Sequence, residues 1–491
     1  MYKYLFIILS ASAAAVAMAD DQTLQAKDIP PPAPSFEDSN LNLPQPDAKK
    51  PEVAASVQTG KAEQSESVHL DESDLRQNPE LTAKLIEQAI HSQNWLLLAD
   101  LLPLYRTLPQ HDAILYDYAN GALLRAQKKH PQAIAAYRRI IAAQPDLSYV
   151  RLDLAGMLYE NKQYQAAKDQ FERVKADDIS PQARAMADAY LARIQKQQGW
   201  EINAGVQYER NDNVNNASSS EYIDTPDGKR FHRTQDSRPQ TANGLRYNFS
   251  ANRDWNLSGN HYLTTEASVD GVWYWDKRDY SEQSLRLGAG YKNQQIRQWF
   301  SAVPFVGYNR LGGDAYSRNF GASTQYGRWL SDNWQVIGSF SHIQKRYARD
   351  YQAQRYNGKM NNVSLTAAWI PKADLMLYGG LDYSREHAKD PQESSKRQGV
   401  RAGVLKEWQN GVSTRINLRY GQRRFDAPNQ FFSIKRRDKE YQANIAVWHR
   451  SLHIYGITPK LNFQYQKIDS SIPLFYSRQN KQWFITLEKT F

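Results

Sequence analysis

The chain contains no cysteine. That excludes a disulfide framework, a thiolate metal site and lipidation of the chain itself through a thiol. Long apolar runs are also missing. Mean hydropathy is −0.73 and 23% of residues are charged, whereas a membrane helix needs about 20 mostly apolar residues in succession. A bundle of membrane helices is excluded. The sequence holds no G-x-S-x-G elbow, phosphate-binding loop, HExxH pair or EF-hand loop, and its ten histidines are scattered. Neither an enzyme nor a cofactor nor a metal site is expected.

What is present is unevenly divided. At about 150 residues per domain, 491 residues allow two or three domains. Eleven of the twelve tryptophans lie between Trp200 and Trp483. Residues 200–491 hold 41 Lys and Arg against 27 Asp and Glu, while residues 1–199 hold 21 against 25. The first half is therefore mildly acidic and the second strongly basic, so two different bodies share the chain.

Residues 1–19 read as a signal peptide. Lys3 gives the positive start, Leu5 to Val16 the apolar stretch, and Ala17-Met18-Ala19 the cleavage site before Asp20. Residues 20–70, with Pro30-Pro31-Pro32, Pro34, Pro44, Pro46 and Pro51 among polar residues, read as a disordered leader. From residue 71 to 199 the pattern is helical and repeats at an offset of 34. Gly121 aligns with Ala155, Leu124 with Leu158, Ala133 with Ala167, and Tyr137 with Phe171, and Pro145 stands at the closing turn. Small residues at two positions and a ring at a third are the tetratricopeptide signature: the helices approach closely and the ring fills their groove. Ala99 continues the register with Pro103 in the place of the ring, and residues 180–198 suit a capping helix. Tyr137 and Phe171 are expected in the core. A plain helical bundle is the alternative.

After Gly199 the period becomes two. Trp200, Ile202, Ala204, Val206 and Tyr208 alternate with polar or small residues, and later segments such as Leu245/Tyr247/Phe249/Ala251 and Thr414/Ile416/Leu418/Tyr420 repeat the pattern. Fourteen such segments begin near 200, 241, 263, 284, 299, 320, 334, 360, 375, 397, 412, 438, 458 and 482. An even set of alternating ten-residue strands predicts an antiparallel transmembrane β-barrel over 200–491, apolar outside and polar inside. A soluble β-sandwich is the alternative. Trp273, Trp275, Trp329, Trp334 and Trp369 sit where an interfacial girdle would put them. Trp483, Ile485, Leu487 and the terminal Phe491 form a last strand of the kind read by the barrel-assembly machinery, with Lys489 interrupting the alternation. Excess Lys and Arg can neutralise nucleic-acid phosphates, but on an exported barrel they meet lipopolysaccharide phosphates or line the lumen and steer an acidic client. No nucleic-acid partner is expected.

Local motifs add to this. Arg436-Arg437-Asp438-Lys439-Glu440 enters a strand, Trp448-His449-Arg450 closes one, and Gly456-Ile457-Thr458-Pro459 starts the next, since proline is tolerated at a strand's first residues. Gly313-Asp314-Ala315-Tyr316-Ser317 reads as a loop, Ala142-Ala143-Gln144-Pro145-Asp146 as a repeat turn, and Glu488-Lys489-Thr490-Phe491 ends the chain. With the order signal, repeat domain, fourteen-stranded barrel, these segments resemble the surface lipoprotein assembly modulator (Slam) family of Gram-negative outer membranes. The resemblance implies a translocon in the outer membrane with its N-terminal domain in the periplasm. Its clients would be surface lipoproteins, or secreted haem- and iron-acquisition proteins. Physically, the 436–440 run is either a solvated, ion-paired turn or a polar patch in the lumen or at the periplasmic rim that guides a client. His449 and Arg450 suit an interfacial anchor. An exopolysaccharide exporter and a porin with an accessory domain also combine such parts. The first would favour many more repeats than are found here.

Overall fold

The structure is a computed structural model that describes residues 72–490 apart from positions 219, 225–227, 229, 431 and 456. The signal peptide, the leader, Gly456 and Phe491 lie outside the described residues. Eight helices come first: α1 (Glu72–Gln77), α2 (Pro79–His91), α3 (Trp95–Thr107), α4 (Ala113–Ala126), α5 (His130–Ala143), α6 (Ser148–Glu160), α7 (Tyr164–Ala176) and α8 (Pro181–Gln197). The hairpins α2–α3, α4–α5 and α6–α7 are the three repeats, and α8 closes the stack. Each hairpin turns through one residue in the left-handed region: Gln93, Lys128 and Lys162, at φ 55°, 60° and 62°. Their spacing keeps the repeat period in the backbone itself, because each helix ends on a left-handed residue that frees the chain to reverse.

The aligned residues are the core. Ala133, Ala155, Ala167, Tyr137 and Phe171 are buried together. A Cβ on Gly121 would meet the Tyr137 ring at 2.4 Å, so only glycine lets α4 and α5 approach so closely. Phe171 stacks on Tyr190 of α8 at 4.9 Å. Pro145 ends α5 in the turn, where its carbonyl accepts from Arg151 at 2.6 Å. A buried charge also ties the repeats. Glu160 at the end of α6 accepts from Arg125 of α4 at 2.6 Å and lies 2.8 Å from His130 Nε2 at the start of α5. Burial alone would raise Glu160, but the hydrogen bonds from His130 and Arg125 and the adjacent guanidinium hold its carboxyl below the usual value.

Fourteen strands then close on themselves, every neighbouring pair antiparallel. They are β1 (Glu201–Asn211), β4 (Ala242–Ser258), β5 (His261–Tyr274), β6 (Glu282–Gln294), β7 (Gln298–Leu311), β8 (Asp314–Trp329) and β9 (Trp334–Tyr347). They continue with β10 (Gly358–Lys372), β11 (Leu375–Ala388), β12 (Ser395–Glu407), β13 (Val412–Pro428), β14 (Lys435–His449), β15 (Lys460–Ser470) and β16 (Arg478–Thr490). A small hairpin, β2 (Tyr222–Asp224) with β3 (Arg230–His232), lies in the long β1–β4 connection, and α9 (Asp350–Tyr356) and α10 (Pro473–Tyr476) lie in later ones. The alternation sorts side chains as expected: Val206, Leu245, Phe249, Leu263, Phe320, Leu365, Leu381, Leu418 and Leu461 are exposed on the outer wall. That wall suits lipid, and the closed ladder leaves no sheet edge running the length of the wall.

The helices join the barrel at the start of β1, which defines a near rim. There most connections are short, such as Gly259-Asn260 between β4 and β5, the exception being 450–459 between β14 and β15. The longest connection, β1 to β4, and both small helices lie at the far rim. Two expectations change. Strand β8 begins at Asp314, so Gly313-Asp314-Ala315-Tyr316-Ser317 is no loop: the turn is Gly312-Gly313, both with positive φ, and the rest is strand. Trp329 is not in the outer girdle. On β8 the outward residues are even-numbered, so Trp329 points inward and is 6% exposed, while Trp334 and Trp369 stack outside at 5.8 Å.

A lowered carboxyl contributes stability above its unfolded value and loses it as pH falls through the folded value. Replacing Glu160 with Gln (E160Q) should therefore destabilise the helical domain at neutral pH by about 2 kcal/mol and flatten its acid limb. Helix unfolding by circular dichroism at pH 7 and pH 4 checks this. An unchanged pH profile would show that Glu160 does not carry the linkage.

Candidate functional site

The site is the lumen with the helical domain seated at its mouth. Strands β12 and β13 carry arginines four residues apart, Arg397 and Arg401 on one and Arg415, Arg419 and Arg423 on the other. Spacing by an even number keeps all five on the inner face. They lie flat along the wall because inward positions beside them are glycine: a Cβ on Gly380 would come within 3.0 Å of Arg401 Nε. Arg401 meets Asp382 at 3.1 Å and donates to Thr366 at 2.7 Å. Arg423 and Lys345 share Glu386 at 2.9 and 2.8 Å, and Arg397 pairs with Glu440. Arg415 lies 5.6 Å over the Trp448 ring.

Counting Arg436 and Lys345 with the five, and Asp382, Glu386, Glu407, Asp438 and Glu440 against them, this wall has seven inward cations and five anions. Across the lumen the balance reverses. Strands β1 and β4–β6 turn Glu209, Asp254, Glu266, Asp270 and Glu282 inward against Arg246, Arg286 and Lys292. The pairs Arg246–Glu209, Lys292–Asp254 and Arg286–Glu266 close at 2.5, 2.5 and 3.1 Å. In the strand order β5 and β12 stand seven strands apart either way round. A field therefore runs across the lumen from a basic to an acidic wall, in a space where low-dielectric walls strengthen it. At the near rim the lining turns apolar, with Trp329, Ala368, Ile370, Met376 and Tyr378 packed together beside Trp299 and Leu405.

The helical domain rests on this rim through its hairpin turns. Tyr262, the second residue of β5, is 1% exposed and completes the core of the repeats, edge-on to Tyr164. Its hydroxyl donates to the Lys162 carbonyl. Asn260 Nδ2 donates to the Asn161 carbonyl at 2.5 Å while its Oδ1 accepts from Gln163 at 3.1 Å. Asn256 Oδ1 accepts from the Gln165 amide at the start of α7, at 2.8 Å. One repeat away, Lys128 and Arg297 both pair with Asp332, at 2.6 and 2.8 Å. Two successive hairpin turns thus bind two barrel turns.

The motif residues are not brought together. The 436–440 run starts β14 at the far rim, away from the helices. Arg436, Asp438 and Glu440 face inward, Arg437 and Lys439 outward. Arg436 sits between Tyr476 and Phe425, 3.7 and 4.4 Å from the rings, and pairs with buried Asp438 at 2.6 Å. The run is therefore in the lumen, at the rim away from the helical domain. Trp448, His449, Arg450 and Pro459 stand at the opposite, near end. His449 Nε2 is 2.9 Å from the Asn410 carbonyl and packs on Gly411, which has φ +89°, so it pins neighbouring turns together. Pro459 immediately precedes β15, so the strand starts at Lys460, two residues later than the expected 458 and after the 456–459 segment. Spacing of four on two strands was a signal for the arginine rows. The docking residues Asn256, Asn260 and Tyr262 left none, since each is an ordinary turn or strand residue until the helices arrive.

Comparison with known proteins gives consistent matches. The family model described as surface lipoprotein assembly modifier matches residues 200–491, and the model of that family's N-terminal TPR repeats matches residues 68–171. Surface lipoprotein assembly modifier 1 of Haemophilus influenzae is 30% identical, covering 92% of this chain and 93% of its own. The surface lipoprotein assembly modifier of Pasteurella multocida is 30% identical over 87% and 86%. The hemophilin secretion modulator of Acinetobacter baumannii is 23% identical over 86% and 88%.

Removing the Tyr262 ring (Y262A) should loosen docking by about 3 kcal/mol, and removing only its hydroxyl (Y262F) by about 1 kcal/mol. Hydrogen exchange at the amides of residues 161–167 should speed up in that order. Equal exchange in Y262A and the unsubstituted chain would show that the rim contact does not hold the domain.

Proposed function

The chain belongs to the surface lipoprotein assembly modifier family, and from that membership and the geometry above we propose that it is an outer-membrane translocon for specific client proteins. The near rim faces the periplasm and the far rim the cell surface. Its clients are surface lipoproteins or related secreted haem- or iron-acquisition proteins, in keeping with the name of the Acinetobacter relative. The observation that carries this reading is the seating of the repeat domain on the barrel mouth by its hairpin turns. A stack of repeats leaves a concave face for a polypeptide, and here that stack is fixed where a bound polypeptide is handed to the barrel.

The rest of the architecture fits that task. A field across the lumen acts on charged side chains of either sign without holding one small solute. The apolar patch at the near mouth offers a surface to unfolded chain. No catalytic step is needed, and with no ATP in the periplasm the free energy comes from client binding, folding outside or anchor insertion. The chain's own insertion would use the barrel-assembly machinery, and its basic residues would meet lipopolysaccharide phosphates at the surface.

Co-expression with a candidate client encoded beside it should make that client protease-accessible on intact cells. Deleting residues 200–491 should abolish accessibility, and deleting 71–199 should reduce it at least tenfold while the barrel still inserts. An inserted, full-length protein that displays no candidate client would defeat the reading and favour polysaccharide export. Conductance for small solutes independent of any client would favour a porin.

A further inference from the structure

The barrel closes thinly at one place. Among the described residues, β1 and β16 are laddered through five positions, from Asn203–Thr490 to Gln207–Thr486. The next shortest ladder, β15 with β16, runs through nine. The last strand changes partners on its way across. Arg478 to Thr486 pair with β15, Thr486 to Thr490 pair with β1, and Thr486 alone is laddered on both sides. Continued toward the far rim, the register would set Tyr208 against Ile485 and Asn211 against Gln482, yet no ladder joins them. In contrast, β1 is laddered to β4 along its whole length, Glu201 to Asn211.

The open stretch is spanned by side chains instead. Asn480 Nδ2 donates to Asn211 Oδ1 at 2.8 Å, and just below, Thr486 Oγ1 donates to Gln207 at 3.0 Å. Above it, the β1–β4 connection reaches over to the β15–β16 connection. The Ser218 hydroxyl donates to the Pro473 carbonyl at 3.3 Å, while Arg233 donates to the Leu474 carbonyl and lies 5.5 Å over the Phe475 ring. Such contacts are local and reversible, unlike a ladder of backbone bonds. The outward side chains beside the gap are Tyr208, Ile485 and Trp483, the last 62% exposed, with the charged Arg210 and Lys481 next toward the far rim. Glu209, Asn211 and Gln482 face inward.

A strand edge facing lipid without a backbone partner is costly, and another strand is what satisfies it. We propose that the far half of the β1–β16 seam is the docking edge for an extended segment of the exported protein. That segment pairs with Tyr208–Asn211 and parts the five rungs below as it enters. It must alternate apolar and polar side chains, because one of its faces meets lipid and the other the polar lumen. This rests on the export reading and deepens it, making the seam the path by which an amphipathic strand leaves the barrel sideways.

The absence of cysteine makes the test clean. Val206 and Leu487 are ladder partners with outward side chains, at a spacing that suits a disulfide. In a chain carrying Val206→Cys and Leu487→Cys, client display on intact cells should match the unsubstituted chain when reduced and fall at least tenfold when oxidised. Val400→Cys with Tyr420→Cys, partners on β12 and β13, should leave display unchanged in either state. A photoreactive side chain at Trp483 should capture the client during export, and one at Leu365, on β10 six strands away across the barrel, should not. Full display by the oxidised seam variant, or equal capture at both positions, would overturn the seam and leave export standing. Failure of the unsubstituted chain to display the client would overturn both.

Discussion

Backbone hydrogen bonding in lipid is the constraint on which the rest of this molecule depends. A strand in hydrocarbon has no water to complete its amide and carbonyl groups, so the sheet must close. Closure by antiparallel neighbours requires the even number of strands found here, fourteen in sequence order. It also fixes the side-chain alternation, because a register slip of one residue would turn a whole apolar set into the lumen. The near-rim turns follow as well: Gly259-Asn260 is a two-residue link between adjacent strands. Where closure is thinnest, between β1 and β16, loops and side-chain amides take over from backbone bonds.

The same alternation that gives lipid an apolar wall gives the lumen room for charge. Buried ions are tolerated only when paired, and the lumen obeys this: Asp382 with Arg401, Glu386 with Lys345 and Arg423, Glu209 with Arg246. The surplus is what matters for a passing chain, positive on β12–β13 and negative on β4–β6. Docking of the repeats adds direction. Tyr262 belongs to the barrel by sequence and to the helical core by packing, so the two bodies share a buried residue and not merely a linker.

Much of this was legible beforehand. The two periods, 34 and two, located the repeats and strands to within a few residues in most cases, since both follow from which faces must be buried. Strand β8 was the largest miss: it begins six residues earlier than expected, because Gly312-Gly313 makes a tight turn that reads in sequence like part of a longer loop. Trp329 was misplaced for a related reason. An aromatic at a strand end suits a girdle or a lumen mouth equally, and only strand parity decides. The charged run at 436–440 was visible, but its end of the barrel was not, since that depends on counting strands from the one that meets the helices.

The sequence by itself determined the class of each body, because amphipathic periodicity is a local property that any folded solution must respect. It determined the repeat core of Gly121, Ala133, Tyr137, Ala155, Ala167 and Phe171, whose sizes alone specify close helix packing. Only the tertiary structure decided that β5 faces β12 across the lumen, that two hairpin turns sit on Asn260, Tyr262 and Asp332, and that the final strand is shared between two neighbours. These are relations between residues as far apart as Asn211 and Asn480. They arise from how closure brings the ends of the sheet together, which no local pattern encodes.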